Sequence, residues 1–187
     1  MKRFVTLCFT LTFVLFADSL QAQSFITESG HVEFTSSVPL HSFTGSSGHL
    51  HGLIDFDKNL VDFYIDLQTL DTGNGRRDRD MYSTLNVEDH PFAEFTGKLI
   101  SDFDQSSESA QNVTVEGDFT VNGVTSEITV NGELKMDGPV LQLRAGWVLN
   151  ITDYDIKPPG ILFYRVDEEM DIHIESALTR QNGEQNQ

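Results

Sequence analysis

The sequence predicts an all-β protein, an antiparallel barrel or sandwich with one short helix near residues 77–85. Three observations carry this. From Phe25 onward, segment after segment alternates apolar and polar residues, the period of strands with one buried face. Short turn signals such as Lys58-Asn59, Asn122-Gly123 and Asp137-Gly138 separate them. No stretch keeps helical periodicity beyond about two turns.

His31-Val32-Glu33-Phe34-Thr35 opens a strand, and Val38 to Gly45 reads as a bend or loop around Pro39. Gly48 to Asp57 sets Leu50, Gly52, Ile54 and Phe56 on one face, against His49, His51 and Asp55. Leu60 to Leu67 alternates strictly, with Val61, Phe63, Ile65 and Leu67 on the apolar side. The stretch from Leu67 to Gly97 is the least generic. Thr69 to Asn74 turns the chain at residues that tolerate positive φ. Arg77 to Leu85 places Met81, Tyr82 and Leu85 on one helical stripe. Pro91 ends that helix, and Ala93, Phe95, Gly97 and Leu99 resume a period of two.

Ser101 to Gln111 is polar and expected to be a mobile loop. Val113, Val115, Gly117, Phe119 and Val121 form a strand that turns at Asn122-Gly123 into Ile128, Val130, Gly132, Leu134 and Met136. Val140 to Ile151 looks apolar on both faces, which predicts the best-buried strand. Pro158-Pro159-Gly160 marks a loop, and Met170, Ile172 and Ile174 make the last strand against Asp171, His173 and Glu175. Residues 179–187 are polar and expected to be a disordered tail. Glycines 52, 97, 117 and 132 fall inside strands, where sharp coiling explains them better than close approach of a ligand.

Residues 1–22 have a basic start, an uncharged apolar run from Phe4 to Ala17 and a small residue at Ala22, the pattern of a secretory signal peptide. The run is too short for a membrane span. Cleavage after Ala22 would remove the only cysteine, Cys8, and leave residues 23–178 as one domain without disulfides. Such a chain must hold its fold by packing alone. The net charge of −17 repels phosphate, which argues against nucleic acid and anionic lipid surfaces as partners.

Leu70-Asp71-Thr72-Gly73-Asn74, Arg77-Asp78, Met81, Ser83, His90-Pro91 and Phe95-Thr96-Gly97 resemble the central motif of the YceI-like family. Gly117 to Thr125 is similar to a second family block, and the likeness covers nearly all of the chain beyond residue 24. Members are bacterial secreted proteins described as lipocalin-like and polyisoprenoid-binding. The resemblance implies an antiparallel lipocalin-like β-barrel, with its helical segment across or beside one end. It also implies a periplasmic protein, commonly a homodimer, whose partner is a long-chain isoprenoid or other amphiphile along the barrel axis. The chain departs from the family in the His41 to Gly45 bend and in its acidity.

Under that resemblance the ligand-lining candidates are Phe34, Leu50, Ile54, Phe56, Phe63, Ile65, Phe95, Phe119, Val130, Leu134, Leu143, Trp147 and Ile172, with Arg77 at the mouth. The choice of inner face for residues 140–151 is open from sequence. Arg76-Arg77-Asp78-Arg79 concentrates positive charge that either meets an anionic head group or, as the favoured expectation, pairs with Asp78 and Asp80. The alternative function is a stress-related interaction protein with a solidly packed barrel and no ligand.

Catalytic and metal signals are weak. There is no nucleophile elbow, HExxH, phosphate loop or dinucleotide fingerprint, so no enzyme and no cofactor is expected. His49-x-His51 shares one strand face, but zinc needs more ligands, and an outer wet face explains the pair better. Asp71 to Gly75 lacks the spacing of a calcium loop. Asn112-x-Thr114 and Asn150-x-Thr152 match glycosylation acceptors, a common pattern.

Overall fold

The computed structural model describes residues 24–38, 41–158 and 168–181. The signal peptide expected at residues 1–22, most of the Pro158-Pro159-Gly160 loop and residues 182–187 of the expected tail lie outside the described residues. Eight strands follow in order: β1 (Ser24–Val38), β2 (His41–Asp55), β3 (Leu60–Asp66), β4 (Phe92–Leu99), β5 (Gln111–Val121), β6 (Val124–Asp137), β7 (Val140–Asn150) and β8 (Glu169–Arg180). Helix α1 (Gly75–Thr84) lies between β3 and β4. Each strand pairs antiparallel with its chain neighbour, and β1 also pairs with β8, so the sheet closes into a barrel. The barrel expected from the sequence is the fold.

The residues expected to bend between Val38 and Gly45 instead form the end of a long hairpin. Thr35 pairs with Thr44, Ser36 with Phe43 and Val38 with His41, so only positions 39 and 40 separate the strands. Small hydroxyl residues bond across this ladder: Thr35 Oγ1 and Thr44 Oγ1 are 3.2 Å apart. β2 stops sooner than expected. Asp55 accepts the Lys58 N–H at 3.1 Å and pairs with Lys58 Nζ at 2.9 Å, and Asn59 takes φ +53°. That turn lifts Phe56 off the period-two face.

Asn122 and Gly123 have φ +53° and +72°, the two-residue turn that matches strand twist, as the dipeptide predicts. The next turn falls one residue later than expected, at Gly138-Pro139, because Asp137 still pairs with Val140. In β7 the apolar side chains share one face: Leu141, Leu143 and Leu149 are buried while Val148 is 59 % exposed. The strand is therefore one-sided like its neighbours, not apolar on both faces. β8 runs past Leu178, since Thr179 pairs with Val140 and Arg180 with Phe25. The loop before β5, expected to be mobile, is tied to the first residue of that strand by two hydrogen bonds. Gln111 Nε2 donates to the Asp104 carbonyl and Gln111 Oε1 accepts the Asp104 N–H, both at 2.9 Å.

One end of the barrel, the base, is packed solid. Phe25, Leu141 and Leu178 have no exposed surface there, and Met136 is buried beside them. Phe56 meets Phe25 edge-on at 5.9 Å and stacks on Phe103 at 5.1 Å, so the anchored loop contributes the outermost ring of the plug. The Arg180 guanidinium lies 5.2 Å from the Phe25 ring. Higher in the wall, Gly97 and Gly117 pair across β4 and β5. A Cβ on Gly117 would sit 2.4 Å from both the Gly97 Cα and the Thr96 carbonyl oxygen.

That contact is backbone against backbone and cannot yield by rotation of a side chain. Gly117→Ala is expected to destabilise the barrel by roughly 1–3 kcal/mol through overpacking. Gly48→Ala, where an added Cβ meets nothing within 4 Å, is expected to be neutral or slightly stabilising. Urea midpoints of the two variants check the contrast; equal midpoints would contradict it.

Candidate functional site

The site is built around the β3–α1–β4 connection at the end opposite the base. Asp66 accepts the Gln68 N–H at 2.9 Å and starts a single 3₁₀ turn over Leu67–Thr69. Gly73 then takes φ +71°, a conformation open to glycine. Asn74, expected to share the turn, has φ −141° and acts as N-cap: its Oδ1 accepts the Arg76 and Arg77 N–H groups at 3.1 and 3.3 Å. Asn86 at φ +52° ends the helix just beyond Leu85.

Three polar tethers hold α1 against the barrel. The Asp78 carboxylate accepts from Thr72 N–H at 3.0 Å and Thr72 Oγ1–H at 2.6 Å. The Tyr82 hydroxyl donates to the Leu70 and Gln68 carbonyls at 2.7 and 3.0 Å. The Asp71 backbone exchanges two hydrogen bonds with Ser46, at 2.9 and 3.0 Å. The bonds from Thr72 hold the Asp78 carboxyl below the usual range, with Arg77 and Arg79 adding to the effect. Burial raises the Tyr82 hydroxyl, and nearby Asp78, Asp71 and Asp66 push it the same way.

Between this helix and the solid base lies a cavity of about 670 Å³. Phe34 (β1), Leu50 and Ile54 (β2), Phe63 and Ile65 (β3) and Phe95 (β4) line it. So do Phe119 (β5), Val130 and Leu134 (β6), Leu143 and Trp147 (β7) and Ile172 (β8), with Arg77 on α1. Phe56 does not; it stands in the base plug, because β2 ends one residue before it. The odd-numbered face of β7 settles the inner side of residues 140–151.

Sequence reasoning missed the roof of the cavity: Leu67, Leu70, Met81, Leu85 and Phe43. Met81 and Leu85 were visible as a helical stripe, but their spacing says nothing of what lies beneath them. Phe43 was hidden inside the expected bend. Of the exposed residues on the cavity wall, Ser42, Asn74, Arg76 and Asp80 mark the mouth beside α1 and the end of the β1–β2 hairpin. The Arg77 guanidinium lies 4.9 Å from the centre of the Phe43 ring and joins these two elements.

The interior offers little chemistry. Trp147 Nε1 is buried without a hydrogen-bond partner, and its ring meets Phe119 edge-on at 5.7 Å. Tyr154, whose hydroxyl is raised by burial, meets the same Phe119 ring at 5.5 Å. His51 is turned to the outside, stacked on Tyr64 at 4.9 Å. Among the described residues, no three His, Cys, Asp or Glu side chains are placed to share a metal ion. No helix among them is long and apolar enough to cross a membrane.

A family model described as YceI-like domain matches residues 20–178. A UPF0312 protein of Photorhabdus laumondii is 29% identical over 126 residues, covering 60% of this chain and 62% of the relative, so the match spans about three fifths of that protein. A UPF0312 protein of Vibrio parahaemolyticus is 31% identical over 137 residues, 67% of this chain and 69% of its own. Among solved structures, a polyisoprenoid binding domain from Saccharophagus degradans, implicated in plant cell wall breakdown, superposes with TM-score 0.71 at 14% identity, covering 86% of this chain and all of that one. Burkholderia cenocepacia BcnA gives TM-score 0.67 at 14% identity, over 80% of this chain and 96% of its own. At such identities the structures speak for the fold alone.

Asp78 has its carboxyl pKa lowered by folding, so its share of stability is complete above the usual carboxylate range and is lost as pH falls through the lowered value. The melting temperature of Asp78→Asn is therefore expected to fall less steeply than wild type on acidification through that range. Parallel melting curves would contradict the tether.

Proposed function

Because the chain belongs to the YceI-like family, we propose that it holds the tail of a long isoprenoid-type amphiphile inside its barrel, as a carrier or sequestering protein. The observation that carries this is the apolar cavity of about 670 Å³ between the base plug and α1. A void of this size falls in the range of small-molecule sites, and one lined by Leu, Ile, Val and Phe is a poor host for water. Binding needs no polar contact inside. At roughly 0.8 kcal/mol per buried CH₂, a few isoprene units at about 4 kcal/mol each offset the roughly 4–15 kcal/mol of lost ligand freedom. The description of the Saccharophagus domain as polyisoprenoid-binding supports the same ligand class. A solid barrel acting only through its surface is disfavoured, since the packing is solid at the base alone. The role is binding, without a chemical step.

We propose that this activity is periplasmic, a reading supported by the leader-like pattern of residues 1–22. N-terminal sequencing of the protein from a periplasmic fraction is expected to begin at Gln23; recovery only in the cytoplasm with Met1 intact would overturn the location.

The ligand is tested by native mass spectrometry of the mature protein purified from its own cells, followed by organic extraction. A bound mass matching a polyprenyl chain is expected. A clean apo mass, with no apolar probe altering Trp147 fluorescence, would overturn the proposal. Ala145 stands on the cavity wall of β7, and Ala145→Phe is expected to weaken binding of a fluorescent polyene by about tenfold or more, by filling the space its chain would occupy.

A further inference from the structure

We propose that the outer wall of β3 and β4 carries a docking site for an arginine side chain of a partner protein, built from Tyr64, Asp66, Phe92 and Glu94. The site stands outside the cavity and does not depend on the chain-binding reading above.

Even-numbered residues of both strands point outward, and the register sets Tyr64 opposite Glu94 and Asp66 opposite Phe92. Along each strand the ring and the carboxylate are two residues apart. The four side chains therefore form a square in which rings and carboxylates alternate. The rings occupy one diagonal, with centroids 5.9 Å apart and planes at 85°. Tyr64 is 41 % and Phe92 42 % exposed, unlike the aromatic rings packed in the core. His51 of β2 stacks on Tyr64 at 4.9 Å and fixes that ring before any partner arrives.

No cation of the chain itself serves this square among the described residues. The ion pairs within 4 Å are Lys58 with Asp55 and Arg144 with Glu175. Arg77 and Arg180 lie over other rings, those of Phe43 and Phe25. Asp66 commits one oxygen to the Gln68 N–H, and Glu94 is exposed. Lys98, the one cation in β3 and β4, is four residues from Glu94, about 13 Å along the strand.

A guanidinium fits the vacancy. Its plane lies against an aromatic face, while the N–H groups around its rim reach the carboxylates on either side. An ammonium is a compact point charge with no face to stack and fits less well. The site lies on the open outer wall, which favours a side chain delivered by a protein surface over a small molecule that needs a concave pocket. A net charge of −17 draws a basic partner surface towards it.

The test is titration of the mature protein at low salt with acetyl-Gly-Arg-Gly-amide and its lysine and citrulline counterparts, followed by NMR. The arginine peptide is expected to bind about threefold or more tightly than the lysine peptide, the citrulline peptide not measurably, with shifts centred on Tyr64, Phe92 and Glu94. Phe92→Thr and Glu94→Gln should each weaken arginine binding about two- to fivefold. Glu116→Gln removes the same charge from the exposed face of β5 and should leave binding unchanged. Native-like spectra and a single melting transition show that each variant is folded. Equal affinity for the arginine and lysine peptides, no binding of either, or a loss no greater in Phe92→Thr than in Glu116→Gln would overturn the site, the last by showing attraction to diffuse acidic charge alone. Free arginine binding more tightly than the blocked peptide would overturn the protein partner in favour of a small guanidinium ligand.

Discussion

Everything in this molecule depends on β1 being hydrogen-bonded along both edges. It pairs with β2 on one side and β8 on the other, from Phe25 to Ser36. Register breaks toward β2 between Thr27 and Val32, and an interruption of the β8 pairing between Ile26 and His31, let it bend around the barrel and rejoin both partners beyond. Gly30 sits at the break because an added Cβ would come 2.9 Å from Ser176 Oγ and 3.2 Å from the Leu50 carbonyl oxygen. Closure removes the exposed sheet edges that an open eight-stranded sheet would present. It also fixes the bore, which at eight strands is just wide enough either to be filled by side chains or to hold one small ligand. This barrel is filled by side chains at one end and leaves a cavity at the other.

The wall is not complete by strand pairing alone. β3 reaches β2 only from His51 to Asp55, so the upper part of β2 has no strand on that side. The chain between β3 and α1 repairs the gap: Asp71 pairs with Ser46, and Thr69 Oγ1 and Ser47 Oγ lie 2.7 Å apart. The segment that completes the wall is thus the one that positions the helix over the opening. Polar groups do the fastening, through Thr72 with Asp78 and Tyr82 with Leu70, while Met81 and Leu85 turn inward to roof the void. One short stretch therefore serves wall, roof and rim.

Strand alternation was legible because inward and outward side chains differ so cleanly in β3, β5 and β8. It failed where the side chains are small hydroxyls, which pair across strands as readily as they form turns, and so the tip of the β1–β2 hairpin was mistaken for a bend. Phe56 was misassigned because period two cannot see Asp55 capping the turn before it. Arg77 and Arg79 act on Asp78 through space as their neighbourhood in sequence suggests, but its hydrogen bonds come from Thr72 across the loop, which spacing along the helix cannot foresee. The void was the least legible feature. Alternation says which side chains face inward; it does not say whether opposite walls touch.

Among the described residues, the asymmetry between a plugged base and a roofed mouth makes the barrel a sleeve closed at one end and open beside α1. A flexible chain can enter such a sleeve only end-on and must leave by the way it came, with its innermost segment the last to regain solvent. Each segment held adds to the work of withdrawal, while any length beyond the plug formed by Phe25, Leu141 and Leu178 finds no further wall to contact. The depth of the sleeve, set by the inner face of the plug at Phe25, Leu141 and Leu178, would then act on the proposed ligand as a molecular ruler: short chains would escape quickly, chains that reach the floor would stay longest, and longer ones would gain nothing more.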